Sequence, residues 1–208
     1  MTQTAQPATR HAPLEFWRIA EWFLRTLHGL FGAPEEIAAQ HTLTAKAYKL
    51  MAPWFSVGEA ILRRLLLIEA AAYDAPAPRR IPRAKRPRKR RLVTFYPDDA
   101  ASWRVHFRCM PAAERAVGTG AAQRPQNARA SFGLQFRSAW PLALRFEAML
   151  RVFNAPQAYA KRLARRLRGN PNAVEAVLRA PPEYAHRADR AEELTEAAKS
   201  AQQRRDSS

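Results

Sequence analysis

The sequence predicts a mainly α protein, a short-helix bundle with a small antiparallel β ribbon and a disordered basic linker and termini. Three observations carry that expectation. Apolar residues recur at steps of three and four within residues 14–31, 57–68 and 142–153, the period of a helix with one buried side. Sixteen prolines against seven glycines divide the chain into short pieces, because proline stops a helix yet begins one well at its first position. Finally, nine of the residues between Arg79 and Arg91 are basic, and this run separates the helical stretches.

The chain has 208 residues, 47% of them hydrophobic and 10% aromatic, enough for one packed core with extensions. Taken in order, the regions are a flexible N-terminus (1–13), a helical region (14–73), a basic Pro/Arg-rich linker (74–91), a small β ribbon with an exposed loop (92–137), a second helical region (138–180) and a polar, partly disordered tail (181–208). In the first helix Glu15, Arg18, Glu21, Arg25 and His28 form a narrow polar stripe. The remainder, including Phe16, Trp17, Phe23 and Leu27, is apolar over more than one side, so the helix has to be covered on several sides. Gly32 and Pro34 end it, and Glu35 and Glu36 suit the start of the next. That second helix is predicted from Pro34 to Met51, with Pro53 breaking the chain before a third that carries Val57, Ile61, Leu62, Leu65, Leu66 and Ile68.

Pro76, Pro78, Pro82 and Pro87 preclude regular helix in the linker, and its few apolar side chains cannot offset the entropy of ordering it. Beyond it, Leu92–Tyr96 and Trp103–Cys109 read as strands. In the second, Trp103, Val105, Phe107 and Cys109 alternate with Arg104, His106 and Arg108. Phe132, Leu134 and Phe136 alternate in the same way and are the expected partner strand, across a polar loop at 112–130. Helical spacing returns from Leu142 to Phe153. Asn154 with Pro156, and Asn170 with Pro171, are then the expected cap and start of two further helices. After Tyr184 the one large aliphatic residue is Leu194, so the tail has charges for a helix but little to bury.

A net charge of +17 implies an anionic partner, since 35 basic residues face only 18 acidic ones. The first candidate site is the arm of Arg79, Arg80, Arg83, Lys85, Arg86, Arg88, Lys89, Arg90 and Arg91. Arginine pairs bidentately with phosphate, and each phosphate neutralised releases condensed counterions. A solvated linker is the plainer reading of the same run. The second candidate is Lys161, Arg162, Arg165, Arg166 and Arg168, which share one side of a helix opposite Leu163 and Leu167. There, stabilisation of the helix C-terminus competes with ligand binding as the reason for the charge. Arg104, His106 and Arg108 could meet a phosphate backbone, whereas Trp103 and Phe107 are expected to point into the core.

No glycine-rich phosphate loop, glycine-flanked serine nucleophile or histidine pair with ligand spacing is present, so no catalytic or cofactor-binding residue is assigned. His106 and Cys109 leave a zinc site incomplete, and Asp98 with Asp99 suits a turn after Pro97 better than a cation, so no metal ligand is assigned either. With one cysteine the chain forms no internal disulfide, and neither a secretory signal nor an apolar stretch of membrane-spanning length is apparent, so a reducing, cytoplasmic setting is expected. The expected function is non-enzymatic, electrostatic binding of the RNA or DNA backbone or another polyanion. The alternative is a membrane-peripheral or protein-assembly factor that presents its aromatic-rich first helix to an anionic membrane surface or a protein partner.

Overall fold

Helix α1, Leu14–Phe31, occupies the range its spacing predicts and buries Phe16, Trp17, Ile19, Phe23, Leu24 and Leu27. The computed structural model to which it belongs describes residues 10–73, 96–110, 136–168 and 172–207. The Arg79–Arg91 arm, residues 92–95, the 112–130 loop, Phe132, Leu134, Asn170 and Pro171 lie outside the described residues. α1 ends at Gly32, whose φ of 79° is open to glycine at little steric cost and whose N–H donates to the His28 carbonyl at 2.9 Å. Pro34 then opens α2, Pro34–Ala39, and the Glu36 carboxylate accepts the Ala33 N–H at 3.2 Å, half of a capping box.

The predicted helix from Pro34 to Met51 is two helices separated by a strand. β1, Thr42–Thr44, buries Leu43 and turns both threonines outward, and the Thr44 hydroxyl accepts the Ala47 N–H at 3.2 Å to cap the next helix. That helix, α3, runs from Ala45 to Ala71 and passes straight through Pro53. Proline inside a helix costs about 3 kcal/mol, but the carbonyl it strands belongs to exposed Lys49 and can bond water. Burial of Met51, Phe55 and Val57 on the same helix outweighs that loss, since each large apolar side chain contributes about 1.5–3 kcal/mol when fully buried.

From Ala60 to Ala70 every residue of α3 is buried, so the helix is the axis of the fold and not the one-sided element its leucine pattern implies. α1 and four later elements pack around it: α4 (Trp140–Asn154), α5 (Pro156–Leu167), α6 (Asn172–Leu178) and α8 (Ala191–Asp206). Gly58 lets α1 and α4 approach closely, because a Cβ there would lie 3.0 Å from Met149 Sδ and 3.1 Å from Phe23 Cε1. Phe55 joins α1 and α4 through ring contacts to Phe31 and Phe146 at 5.8 and 5.6 Å. Pro156 starts α5 as predicted, but Asn154 is the last residue of α4 and no side chain caps the junction.

Three charged side chains in the buried part of α3 each have their own solution. Arg64 donates to Thr195 Oγ1 at 2.8 Å, to the Ala60 carbonyl at 3.1 Å and to the Leu178 carbonyl at 2.6 Å, and lies 4.1 Å above the Tyr184 ring. Glu69 accepts the backbone N–H groups of His11 and Ala12 and the Trp17 indole N–H, at 3.0 to 3.2 Å. Residues 10–12, expected to be flexible, are therefore fixed to the middle of the molecule, with Arg10 stacked 4.5 Å over Trp17. Arg63, the third, belongs to the site described below.

Trp103–Cys109 does not form the predicted strand. Its alternation survives in burial, with Trp103, Phe107 and Cys109 inside and Arg104, His106 and Arg108 outside, but the segment is held by side chains. Trp103 Nε1 donates to the Tyr96 carbonyl at 2.6 Å, and Trp103 and Phe107 pack edge-on against Trp140 and Tyr159. The predicted partner strand instead contributes β2, Phe136–Ser138, which pairs antiparallel with β1 in the register Thr42–Ser138, Leu43–Arg137 and Thr44–Phe136. Two short strands about a hundred positions apart thus make the small ribbon. Pro97 and Asp98 form the expected turn.

The polar tail is helical and packed. After α7, Tyr184–Arg187, Arg190 adopts a left-handed conformation and pairs with Glu193 and with Glu15 of α1. α8 follows, and Leu194, Ala198, Ala201 and Gln202 are buried against α3, with Gln202 Nε2 donating to the Leu67 carbonyl at 2.7 Å. The alanines make this packing possible. Their small side chains allow α8 to lie close to α3, an approach that a count of large aliphatics overlooks.

Candidate anion-binding cleft

α3, the extended residues 104–108, the beginning of α4 and the residues after α6 enclose a cleft of about 760 Å3. Each element contributes cations: Arg63 from α3, Arg104 and Arg108 from the extended segment, Arg145 from α4, and Arg179. Glu59 is the one acid lining it among the described residues. Val105, Leu144, Pro141 and Pro181 supply an apolar wall. The 104–108 segment turns its arginines toward the cleft because Trp103, Phe107 and Cys109 are anchored in the core at alternate positions.

Inside the cleft the two deeper arginines share one carboxylate. Arg145 Nε lies 2.7 Å from Glu59 Oε1, and its second nitrogen donates to Ser56 Oγ at 2.9 Å. Arg63 approaches the other Glu59 oxygen at a looser 3.6 Å. Arg63 is 7% exposed, and its buried Nε has no hydrogen-bond partner. Burial lowers the pKa of Arg63, an effect that Glu59 opposes and that the like charges of Arg64 and Arg145 reinforce. The arrangement is short of negative charge and of one acceptor.

Cys109, behind the segment, is buried, and burial raises its thiol pKa although Arg162, Arg166 and Arg63 pull it down. Two outcomes are expected. The native thiol should resist alkylation until the chain unfolds, as a time course with a maleimide would read. Because the folded state holds this proton to higher pH than the unfolded state does, stability should fall as pH rises through the ordinary thiol range, and Cys109→Ala should flatten that slope.

On α5, the predicted cluster of Lys161, Arg162, Arg165, Arg166 and Arg168 is exposed, with Leu163, Ala164 and Leu167 buried opposite it. Lys161 and Arg162 rest over the Tyr73 and Tyr159 rings at 5.3 and 5.5 Å. The Arg79–Arg91 arm, the other predicted cluster, falls outside the described residues. Arg63, Arg145 and Arg179 stand apart from both basic runs and are not reached by sequence reasoning. The usable signal is Arg63 itself, a cation within the apolar run ILRRLLLIEA, where burial requires a partner.

Among the described residues no group of three or more histidine, cysteine, aspartate or glutamate side chains could hold a metal ion, and no helix is long and apolar enough to cross a membrane. No protein-family model matches the chain, and no curated protein or solved structure shows significant similarity to it.

Proposed function

We propose that this protein binds nucleic acid through the phosphate backbone, as a non-enzymatic and mainly electrostatic binder in a reducing, cytoplasmic setting. One observation carries the reading: Lys161, Arg162, Arg165, Arg166 and Arg168 are all exposed on one face of α5, with Leu163 and Leu167 buried opposite. That face can track a phosphate backbone, and the cations that line the cleft add to the positive field of the protein. The net charge of +17, to which the Arg79–Arg91 run contributes nine cations, adds to the attraction for a polyanion.

Labelled RNA, duplex DNA and anionic vesicles titrated across a salt series test the proposal. Nucleic-acid affinity should fall steeply with salt. Replacing Arg162, Arg165 and Arg166 together with glutamine should weaken binding and make the logarithmic salt slope shallower by about 0.7 to 0.9 for each phosphate that is no longer neutralised. Salt-independent binding, or a variant with unchanged affinity, would overturn it.

A second reading is favoured by one observation on α1, where Leu14, Trp22 and Leu30 are exposed at 57%, 58% and 55%. Each offers a separate apolar side chain to a membrane or an assembly partner. Trp17 and Phe23, however, are committed to the core, so Trp22 is the aromatic that this reading rests on. Vesicle retention that survives high salt and disappears in Trp22→Ser would support it.

A further inference from the structure

We infer that the cleft between α3, α4 and residues 104–108 is a seat for a terminal phosphate group carried by a nucleotide, with Arg63 as its deep anchor. The inference rests on the nucleic-acid reading above and narrows it to one kind of interaction.

Hydrogen bonding supplies the first argument. A buried donor without an acceptor is uncommon and unfavourable, and Arg63 Nε is such a donor. Arg63 lines the cleft together with Glu59, the carboxylate it approaches. Turning the guanidinium toward an incoming anion would sacrifice no bond at Nε, and the 3.6 Å approach to Glu59 is the weaker of that carboxylate's two pairings. Arg145 is already satisfied by Glu59 and Ser56, which fixes it as a second cation beside the anchor.

Charge supplies the second. Arg63 and Arg145 share the single negative charge of Glu59, while Arg104 and Arg108 add two more cations at the rim. A terminal phosphate has close to two negative charges near neutral pH and three strongly accepting oxygens, about twice the charge of a backbone phosphodiester. It is the nucleic-acid group that best balances this excess.

Shape supplies the third. A cleft of about 760 Å3 lies within the usual range for small-molecule sites. Val105, Leu144, Pro141 and Pro181 line it along with the arginines, a mixture of apolar and cationic groups that suits a nucleoside attached to a phosphate. Duplex phosphates lie on a convex surface and cannot reach an arginine buried as deeply as Arg63, whereas a protruding strand end or a free nucleotide can.

The test compares the affinities of a 5′-phosphorylated single-stranded ten-mer and the same strand ending in a 5′-hydroxyl. The phosphorylated strand should bind about tenfold more tightly, in line with hydrogen bonds to charged groups. Arg104→Gln with Arg108→Gln, both at exposed positions, should reduce that preference, and Glu59→Gln should increase it by removing the competing carboxylate. Because Arg63→Met could unfold the core, it is read alongside circular dichroism, and the rim and Glu59 variants stand without it. Thymidine 5′-monophosphate distinguishes the sources: displacement of the strand by it identifies a free nucleotide as sufficient, and a 5′-phosphate preference without displacement identifies the strand end. Equal affinity for the two strands overturns the phosphate seat and leaves backbone binding standing. If neither strand binds, the backbone reading fails, and the inference fails with it.

Discussion

Ending the chain before Ala191 is expected to abolish cooperative unfolding, not merely to remove a peripheral helix. α8 inserts Leu194, Ala198, Ala201 and Gln202 into the core. Its Thr195 accepts the Arg64 Nε–H at 2.8 Å, and its Gln202 bonds the Leu67 carbonyl. Without α8, Arg64 loses an acceptor while the apolar surface of α3 beside it meets water. The loss combines exposed leucine surface with a poorly satisfied buried cation, and their sum exceeds what a marginally stable domain can absorb. A graded version is Leu194→Ala, which should lower stability by about 2–5 kcal/mol in urea denaturation followed by circular dichroism. A truncated chain with an unchanged denaturation midpoint would show that α8 does not dock on α3.

The second large effect is expected at Glu69. Its carboxylate collects three donors, two from the backbone of residues 11 and 12 and one from the Trp17 indole, in a fully buried position. Glu69→Ala strands all three. At about 1–3 kcal/mol for each buried group left unsatisfied, partly relieved by water entering, the net loss should be about 3–5 kcal/mol. Glu69→Gln retains one acceptor oxygen and should lose less. Hydrogen exchange offers an independent readout, because the amides of His11 and Ala12 should lose protection in Glu69→Ala more than in Glu69→Gln. If the alanine variant unfolds within about 0.5 kcal/mol of the parent, the network is not formed.

Where one local signal decides, the fold is legible in the sequence. α1 shows its helical period, Gly32 and Pro34 mark its end, and Pro156 starts α5 at its first position. Where two signals compete, it is not. Pro53 reads as a stop, yet the apolar residues on either side of it keep α3 helical, and the carbonyl it strands belongs to exposed Lys49. The pair of threonines around Leu43 interrupts what periodicity reads as one helix, and their partner lies at Phe136–Ser138, a distance that periodicity cannot reveal. α8 looks in sequence as though it has little to bury, because alanine registers weakly in a search for large aliphatics.

The site divides in the same way. The basic face of α5 follows from spacing alone, and so does the alternation that turns Arg104 and Arg108 away from the core. The cleft does not, because Arg145 is brought to the Glu59–Arg63 pair of α3 by the packing of α4, across some ninety residues of chain. Dense runs of arginine attract notice in a sequence. A single arginine with one nitrogen lacking an acceptor becomes visible only in three dimensions.

The position of α8 also sets an order of events during synthesis. α3 is apolar on nearly every side between Ala60 and Ala70, yet the helix that covers it beside Arg64 and Leu67 begins at Ala191. At about 5–20 residues per second, roughly 6 to 24 s separate the emergence of Ala71 from that of Ala191. Throughout that interval the nascent chain presents an uncovered leucine-rich helix beside a dense block of positive charge, a combination that invites both holdase chaperones and nearby ribosomal RNA. Folding of the central helix is thus timed by residues far downstream of it, and a message cut short in that window would yield a chain with an open core, the kind of product that cellular proteases remove.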